Sequence, residues 1–211
     1  MYVAIEGVIG VGKTTLARLL KPAFQSGLLL EVFEENPFLS DFYSDRNRYA
    51  FQTQIFFLLS RYHQQRRTVT EMLSQQPHLM ADYTFEKDAL FARINLSGDE
   101  LDMYYRVHEA LAEKIVPPDL IVYLRADTDV LMQRIALRDR PYERNMEREY
   151  IKELGLAYDD FFSDGQTRRS PVLWIDTNQL DFVRNLEDLV WVENRIRQTL
   201  KLPPFQAELP L

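Results

Sequence analysis

The segment GVIGVGKT, Gly7 to Thr14, has the residue types and spacing of a phosphate cradle, GxxxxGK[ST]. It stands between an apolar run, YVAIE, and a helical pattern, TTLARLL. Gly7, Gly10 and Gly12 let the backbone approach a ligand closely. Inward-pointing N–H groups, joined by the helix start, then favour a diphosphate or triphosphate. Lys13 is expected to reach the β- and γ-phosphates and Thr14 to ligate Mg2+ through its hydroxyl, with Thr15 beside them. A glycine turn without a ligand would not need the whole pattern in this strand–loop–helix setting.

Polar residues that close apolar runs come to lie beyond the carboxyl ends of parallel strands, where ligands bind. Glu6, Glu31 at the end of LLLE and Asp82 at the end of LMAD occupy such positions. An acid beside phosphates suits two tasks, holding Mg2+ or accepting a proton from the nucleophile. Glu31 and Asp82 are the candidates for these tasks, although either alone could be a solvated carboxylate. Glu6, on the approach to the loop, reads as structural.

Gln54 and Arg61 are seven residues apart, hence on one helical face about two turns from each other. A carboxamide and a guanidinium on one face could read a flat polar ligand. Asp88 could anchor Arg61 or accept from an exocyclic amine. Taken singly, these residues fit a solvated surface equally well. The segment RIALRDRPYE groups Arg134, Arg138 and Arg140 before Glu143. Over a triphosphate such guanidiniums would stabilise a transferring phosphoryl group and exclude water. Without the glycine loop, the cluster would read as a salt-bridged helix.

These residues need a scaffold. Short apolar runs at 2–5, 28–32, 78–81, 120–124 and 172–175 alternate with helical patterns at about 45–74, 99–115, 128–137, 146–162 and 180–200. This alternation predicts an α/β domain with a five-stranded parallel sheet flanked by helices. A chain of 211 residues, 46% hydrophobic, suits a single domain, 1–211. The formal charge of −7 argues against a broad nucleic-acid footprint. The absence of cysteine excludes disulfides and thiolate metal sites and fits a reducing compartment. With no membrane-length apolar run and no basic leader, the expectation is a soluble cytoplasmic protein. A tail from Pro203-Pro204 onward reads as loosely tied.

Together, GVIGVGKT, LEVFEENPFLSDFY, FQTQIFFLLSR, DYTFEKDALFA and RIALRDRPYE followed by EYIKELGLAYDDFF resemble the deoxynucleoside kinases. That family includes the deoxycytidine, deoxyguanosine and bacterial deoxyadenosine kinases, and the likeness is greatest to the bacterial deoxyadenosine and deoxyguanosine kinases. It covers most of the chain, and the order of the blocks is more specific than any one of them. It implies a P-loop kinase fold with a short arginine-rich lid at about 134–146. The implied activity is ATP- and Mg2+-dependent phosphorylation of a 2′-deoxynucleoside at its 5′-hydroxyl. By the same resemblance Glu31 is the catalytic base, and Thr14 and Asp82 are the metal residues. Gln54, Arg61 and Asp88 read the base, and Tyr43 with Glu143 grips the sugar 3′-hydroxyl. Arg134, Arg138 and Arg140 match the lid arginines, and the donor adenine is expected near IDTNQLDF. The resemblance also implies a homodimer, and by it the Arg61–Asp88 pair goes with deoxyadenosine, deoxyguanosine or deoxycytidine as acceptor and not thymidine, with the purines favoured.

One departure is plain. The family's acidic motif carries arginine after the acid, whereas this chain has Tyr83. Either Tyr83 substitutes in part or a lid arginine covers the charge. Gln52 in FQTQ could be mistaken for the base reader, but the step of seven to Arg61 selects Gln54. Glu86 has no assigned task and reads as solvated. The rival readings are a nucleoside monophosphate kinase of the thymidylate kinase type and a non-kinase nucleotide-binding switch.

Overall fold

The computed structural model describes residues 1–32, 36–163 and 170–204. Phe33 to Glu35, inside the quoted block LEVFEENPFLSDFY, and the end of the tail, 205–211, lie outside the described residues. Five strands form one sheet: β1 (Tyr2–Gly7), β2 (Gly27–Leu29), β3 (Leu79–Ala81), β4 (Leu120–Arg125) and β5 (Val172–Asp176), in the order β2-β3-β1-β4-β5. All four pairings are parallel.

Both faces of the sheet are covered, as continuous apolar strands require. Alternate residues of β1 enter opposite layers. Val3, Ile5 and Met80 join the main core, whereas Tyr2, Ala4, Leu79 and Ala81 pack with Leu29, Val69 and Tyr83. Glu6, the polar residue of β1, is fully buried. Its carboxylate accepts from Gly7 N–H at 3.2 Å, Thr84 N–H at 2.6 Å and the Tyr158 hydroxyl at 3.2 Å. Such a satisfied carboxylate is structural, as its position in the sequence implied.

The helices are α1 (Lys13–Leu20), α2 (Leu39–Ser44), α3 (Arg46–Gln75), α4 (Lys87–Asn95), α5 (Gly98–Ala112), α6 (Thr128–Arg138), α7 (Arg148–Ser163) and α8 (Leu186–Thr199). The 30 residues of α3 span about 45 Å. Asp45 starts this helix by accepting from Arg48 N–H at 3.3 Å. At the other end of the chain α8 begins at Leu186, later than the pattern from 180 suggested, because Asn185 accepts from Glu187 N–H at 3.0 Å and sets the cap. Strand β2 ends at Leu29, so Glu31 stands just beyond the sheet instead of closing the strand. Helix α6 stops at Asp139, whose left-handed φ of 48° turns the chain into Arg140 and a 3-10 turn, Pro141–Glu143. Among the described residues no helix is long and apolar enough to cross a membrane.

Candidate active site

The sheet order places β1 centrally, with connections leaving to both sides, and the loop after β1 faces the resulting crevice. Three glycines shape that loop: Gly7, Gly10 and Gly12 have φ of 145°, 88° and 107°. A Cβ at Gly10 would lie 2.7 Å from Ile135 Cγ1 and 3.0 Å from the Leu131 carbonyl, so the loop lies directly against α6. Lys13 folds back over the loop and donates to the carbonyls of Gly7 at 2.7 Å and Val8 at 3.2 Å. Burial, then repulsion from Lys87, lowers its pKa to about 8, against the pull of Glu6, Glu31 and Asp82. Thr15 is exposed on the first turn of α1.

The two strand-end acids meet this loop. Thr14 Oγ1 donates to Asp82 Oδ2 at 2.5 Å, and the Glu31 backbone N–H donates to Asp82 Oδ1 at 2.8 Å. From just past β3, Asp82 therefore ties the phosphate loop to the segment that follows β2.

Glu31 carries two cations. Arg61 donates through Nε to Oε1 at 2.9 Å, and Lys87 donates through Nζ to Oε2 at 2.7 Å. A second Arg61 nitrogen also reaches Oε1, and a third forms an ion pair with Asp88. Burial alone would raise the Glu31 pKa, but Arg61 first and Lys87 next hold it far below the usual carboxylate range. Arg61 thus joins the acid assigned to proton transfer to the acid assigned to base recognition. Asp88 is fully buried behind it, and the Phe57 ring lies 4.5 Å from the guanidinium carbon. Gln54 is buried and lines the same cleft, whereas Gln52 is exposed, as the step of seven to Arg61 demands.

On the opposite wall Arg138 holds Glu143 through bonds of 2.7 and 3.1 Å, and Arg140 lies 3.6 Å from the same carboxylate. The Tyr43 ring, from α2, stacks on Tyr142 with centroids 6.4 Å apart. Tyr43, Glu143, Arg138 and Arg140 line one cleft with Gly10, Lys13, Thr14, Glu31 and Asp82.

Arg134 parts from the other two arginines despite the i, i+4 spacing with Arg138. Its guanidinium donates to the Val11 carbonyl at 3.3 Å, Thr177 Oγ1 at 3.0 Å and the Thr177 carbonyl at 2.7 Å. It clamps the glycine loop to the segment IDTNQLDF, whose Phe182 lies 3.0 Å from where a Gly12 Cβ would stand.

Tyr83 is fully buried and donates its hydroxyl to Gln64 Oε1 at 2.5 Å. Gln64 in turn donates to the Leu30 carbonyl at 2.9 Å, bracing the residue before Glu31. Tyr83 is therefore a strut, and neither of the partners expected for the missing arginine is the one that meets Glu31. That role falls to Lys87, which sequence reasoning passed over. The signal lay in the motif itself, where Lys87 is the next cation after Asp82, five residues on. Glu86, expected to be solvated, is half-buried at the start of α4.

Known proteins resemble this chain over nearly its whole length. The family model described as deoxynucleoside kinase matches residues 3–201. A deoxyguanosine kinase of Bacillus subtilis is 33% identical over 201 residues, covering 94% of this chain and 97% of its own. A deoxyadenosine kinase of Dictyostelium discoideum is 33% identical over 197 residues, covering 91% and 78%. The solved deoxyadenosine kinase of M. mycoides with dCMP and dCDP shares the fold, with a TM-score of 0.80 at 23% identity over 94% of this chain and 100% of that one. With a matching family model over nearly the whole sequence and relatives of similar length, this chain belongs to the deoxynucleoside kinase family.

Proposed function

We propose that the cleft transfers the γ-phosphoryl group of ATP to the 5′-hydroxyl of a 2′-deoxynucleoside, with Glu31 as the base. The observation that carries this assignment is that Glu31, Asp82, Thr14 and Lys13 line one cleft, with Asp82 accepting from both the Thr14 hydroxyl and the Glu31 backbone N–H. Glu31 is held ionised by Arg61 and Lys87 and can accept the hydroxyl proton. Lys13 and the loop amides receive the phosphates, while Arg138 and Arg140 face the same space and would offset charge on the transferring group. Tyr43 and Glu143 would receive the sugar 3′-hydroxyl, and Gln54 with the Arg61–Asp88 pair the base. Arg134 takes a different part, joining the glycine loop to the segment assigned to the donor adenine.

The residues present fit Mg2+. Thr14 and Asp82 offer two hard oxygen donors side by side, and Mg2+ completes its shell with water and substrate phosphates, with no need of a protein cage. Bound there, the ion would neutralise charge on the β- and γ-oxygens.

The stretch 134–146 is read as the lid of a single domain spanning 1–211. A homodimer in the cytoplasm belongs to the same reading, on the strength of the family and the partly exposed apolar residues of α3 such as Leu59. The Arg61–Asp88 pair favours deoxyadenosine, deoxyguanosine or deoxycytidine over thymidine as acceptor, and the names of the relatives incline this toward the purines. Incubation with labelled ATP and each of the four deoxynucleosides, with the monophosphates as controls, tests the proposal. Product from free nucleosides supports it. Product only from monophosphates indicates a nucleotide kinase, and phosphate release without an acceptor indicates a switch.

A further inference from the structure

Four charged side chains form one series, Asp88–Arg61–Glu31–Lys87, in which Glu31 alone is partly exposed to the cleft. Its two carboxylates and two cations balance, and each Glu31 oxygen has its own cationic partner. Adjacent positions on the first turn of α4 supply both ends. Lys87 and Asp88 diverge by about 100° around the helix, so one meets Glu31 and the other meets Arg61. The Lys87 side chain is only 5% exposed, yet it lines the cleft, with its ammonium 5.7 Å from the centroid of the Tyr83 ring. Lys87 is also the strongest cationic neighbour felt by Lys13. Lys87, Lys13 and Glu31 thus line one cleft, where two ammonium groups favour the entry of an anion.

Resting on the assignment of Glu31 as base, we propose that Lys87 is a positioning residue of the transfer reaction. It fixes the Glu31 carboxylate against Arg61 and supplies, from α4, the positive charge that position 83 lacks. During transfer the acceptor O–H bond breaks and its proton passes to Glu31 as the oxygen forms its bond to the γ-phosphorus. The bond from that phosphorus to the β,γ-bridging oxygen breaks, and its electron pair leaves with ADP. Lys87 exchanges no proton. Once Glu31 is neutral, the ammonium remains to face the developing phosphoryl charge. Without Lys87 the series keeps one excess negative charge where the phosphates arrive.

Lys87→Met and Lys87→Arg test this against the wild type, with steady-state rates for a deoxynucleoside acceptor, binding of a non-hydrolysable ATP analogue and thermal melting. The expected result is a kcat about 100-fold lower in Lys87→Met, a size typical of one lost electrostatic contact to the transition state. KM for the nucleoside and binding of the analogue should stay within a few-fold, and Lys87→Arg should recover most of the rate. If Lys87→Met does not melt cooperatively, Lys87→Gln takes its place under the same criteria. Wild-type kcat in the neutral variant, a loss confined to KM, or a folded Lys87→Arg as slow as the neutral variant each overturns the proposal. Failure of the wild type itself to phosphorylate any deoxynucleoside would instead refute the assigned reaction.

Discussion

The hydroxyl of Thr14 donates to Asp82 Oδ2 at 2.5 Å, joining side chains 68 positions apart in the sequence. A cation bound between them would rely on the carboxylate charge more than on its shape. Asp82→Asn keeps the shape and removes the charge, so kcat should fall about 100-fold and the half-saturating Mg2+ concentration should rise. Rates measured across a Mg2+ series check this, and an unaltered Mg2+ dependence would remove Asp82 from the metal site.

Glu31→Gln removes the proton acceptor while leaving an amide of the same size opposite Arg61 and Lys87. Turnover should drop by about 10²- to 10⁴-fold, the range for loss of a general base. Calorimetry should still detect nucleotide binding, because the phosphate loop is untouched. Full turnover in this variant is the outcome that would eliminate Glu31 as the base.

Lys13 makes nucleotide affinity depend on pH. Before nucleotide binds, its pKa lies at about 8, lowered by burial and then by Lys87, and phosphates favour the charged form. Affinity for ATP should hold below pH 8 and weaken by up to about tenfold per pH unit above it, with proton uptake on binding. Titration calorimetry at pH 7, 8 and 9 in buffers of different ionisation enthalpy reads both effects. Stability moves the other way. Between about 8 and the ordinary lysine value of 10.5 the folded state binds fewer protons at this site than the unfolded chain, so this group's contribution to stability rises with pH.

Gly10→Ala should act on folding and binding together. At φ 88° a Cβ is strained, and it would also collide with Ile135 and the Leu131 carbonyl on α6. The expected loss is about 1–3 kcal/mol, read from chemical denaturation, with weaker ATP binding alongside it.

Much of this architecture is legible in the sequence because it is local. Apolar runs mark all five strands, and the glycine loop follows from eight consecutive residues. The Gln54–Arg61 step is one helical face, and a single helix does carry both into the cleft. What escapes is set by contacts between distant segments. Nothing in LLLEV shows that pairing with β3 stops at Leu29, which leaves Glu31 beyond the sheet. Equal spacing suggested one task for Arg134 and Arg138, but Thr177 captures the first and Glu143 the second. Lys87 was hidden for a similar reason, since its partner lies 56 residues away, across β3.

The pairing of β3 has a further consequence for how this chain can vary. Tyr2, Val3 and Ala4 lie opposite Leu79, Met80 and Ala81, and Leu29 lies opposite Ala81, so Asp82 is the first residue past a shared edge. A shift of one residue would exchange the two faces of β3, sending Asp82 and Lys87 away from the loop and Glu31 together. Insertions between α5 and β4 leave this alignment untouched, whereas a single deletion within Leu79–Ala81 should abolish the site even if the sheet still forms. Length can therefore change between α5 and β4 at little cost to the site, and within β3 only at the expense of the site.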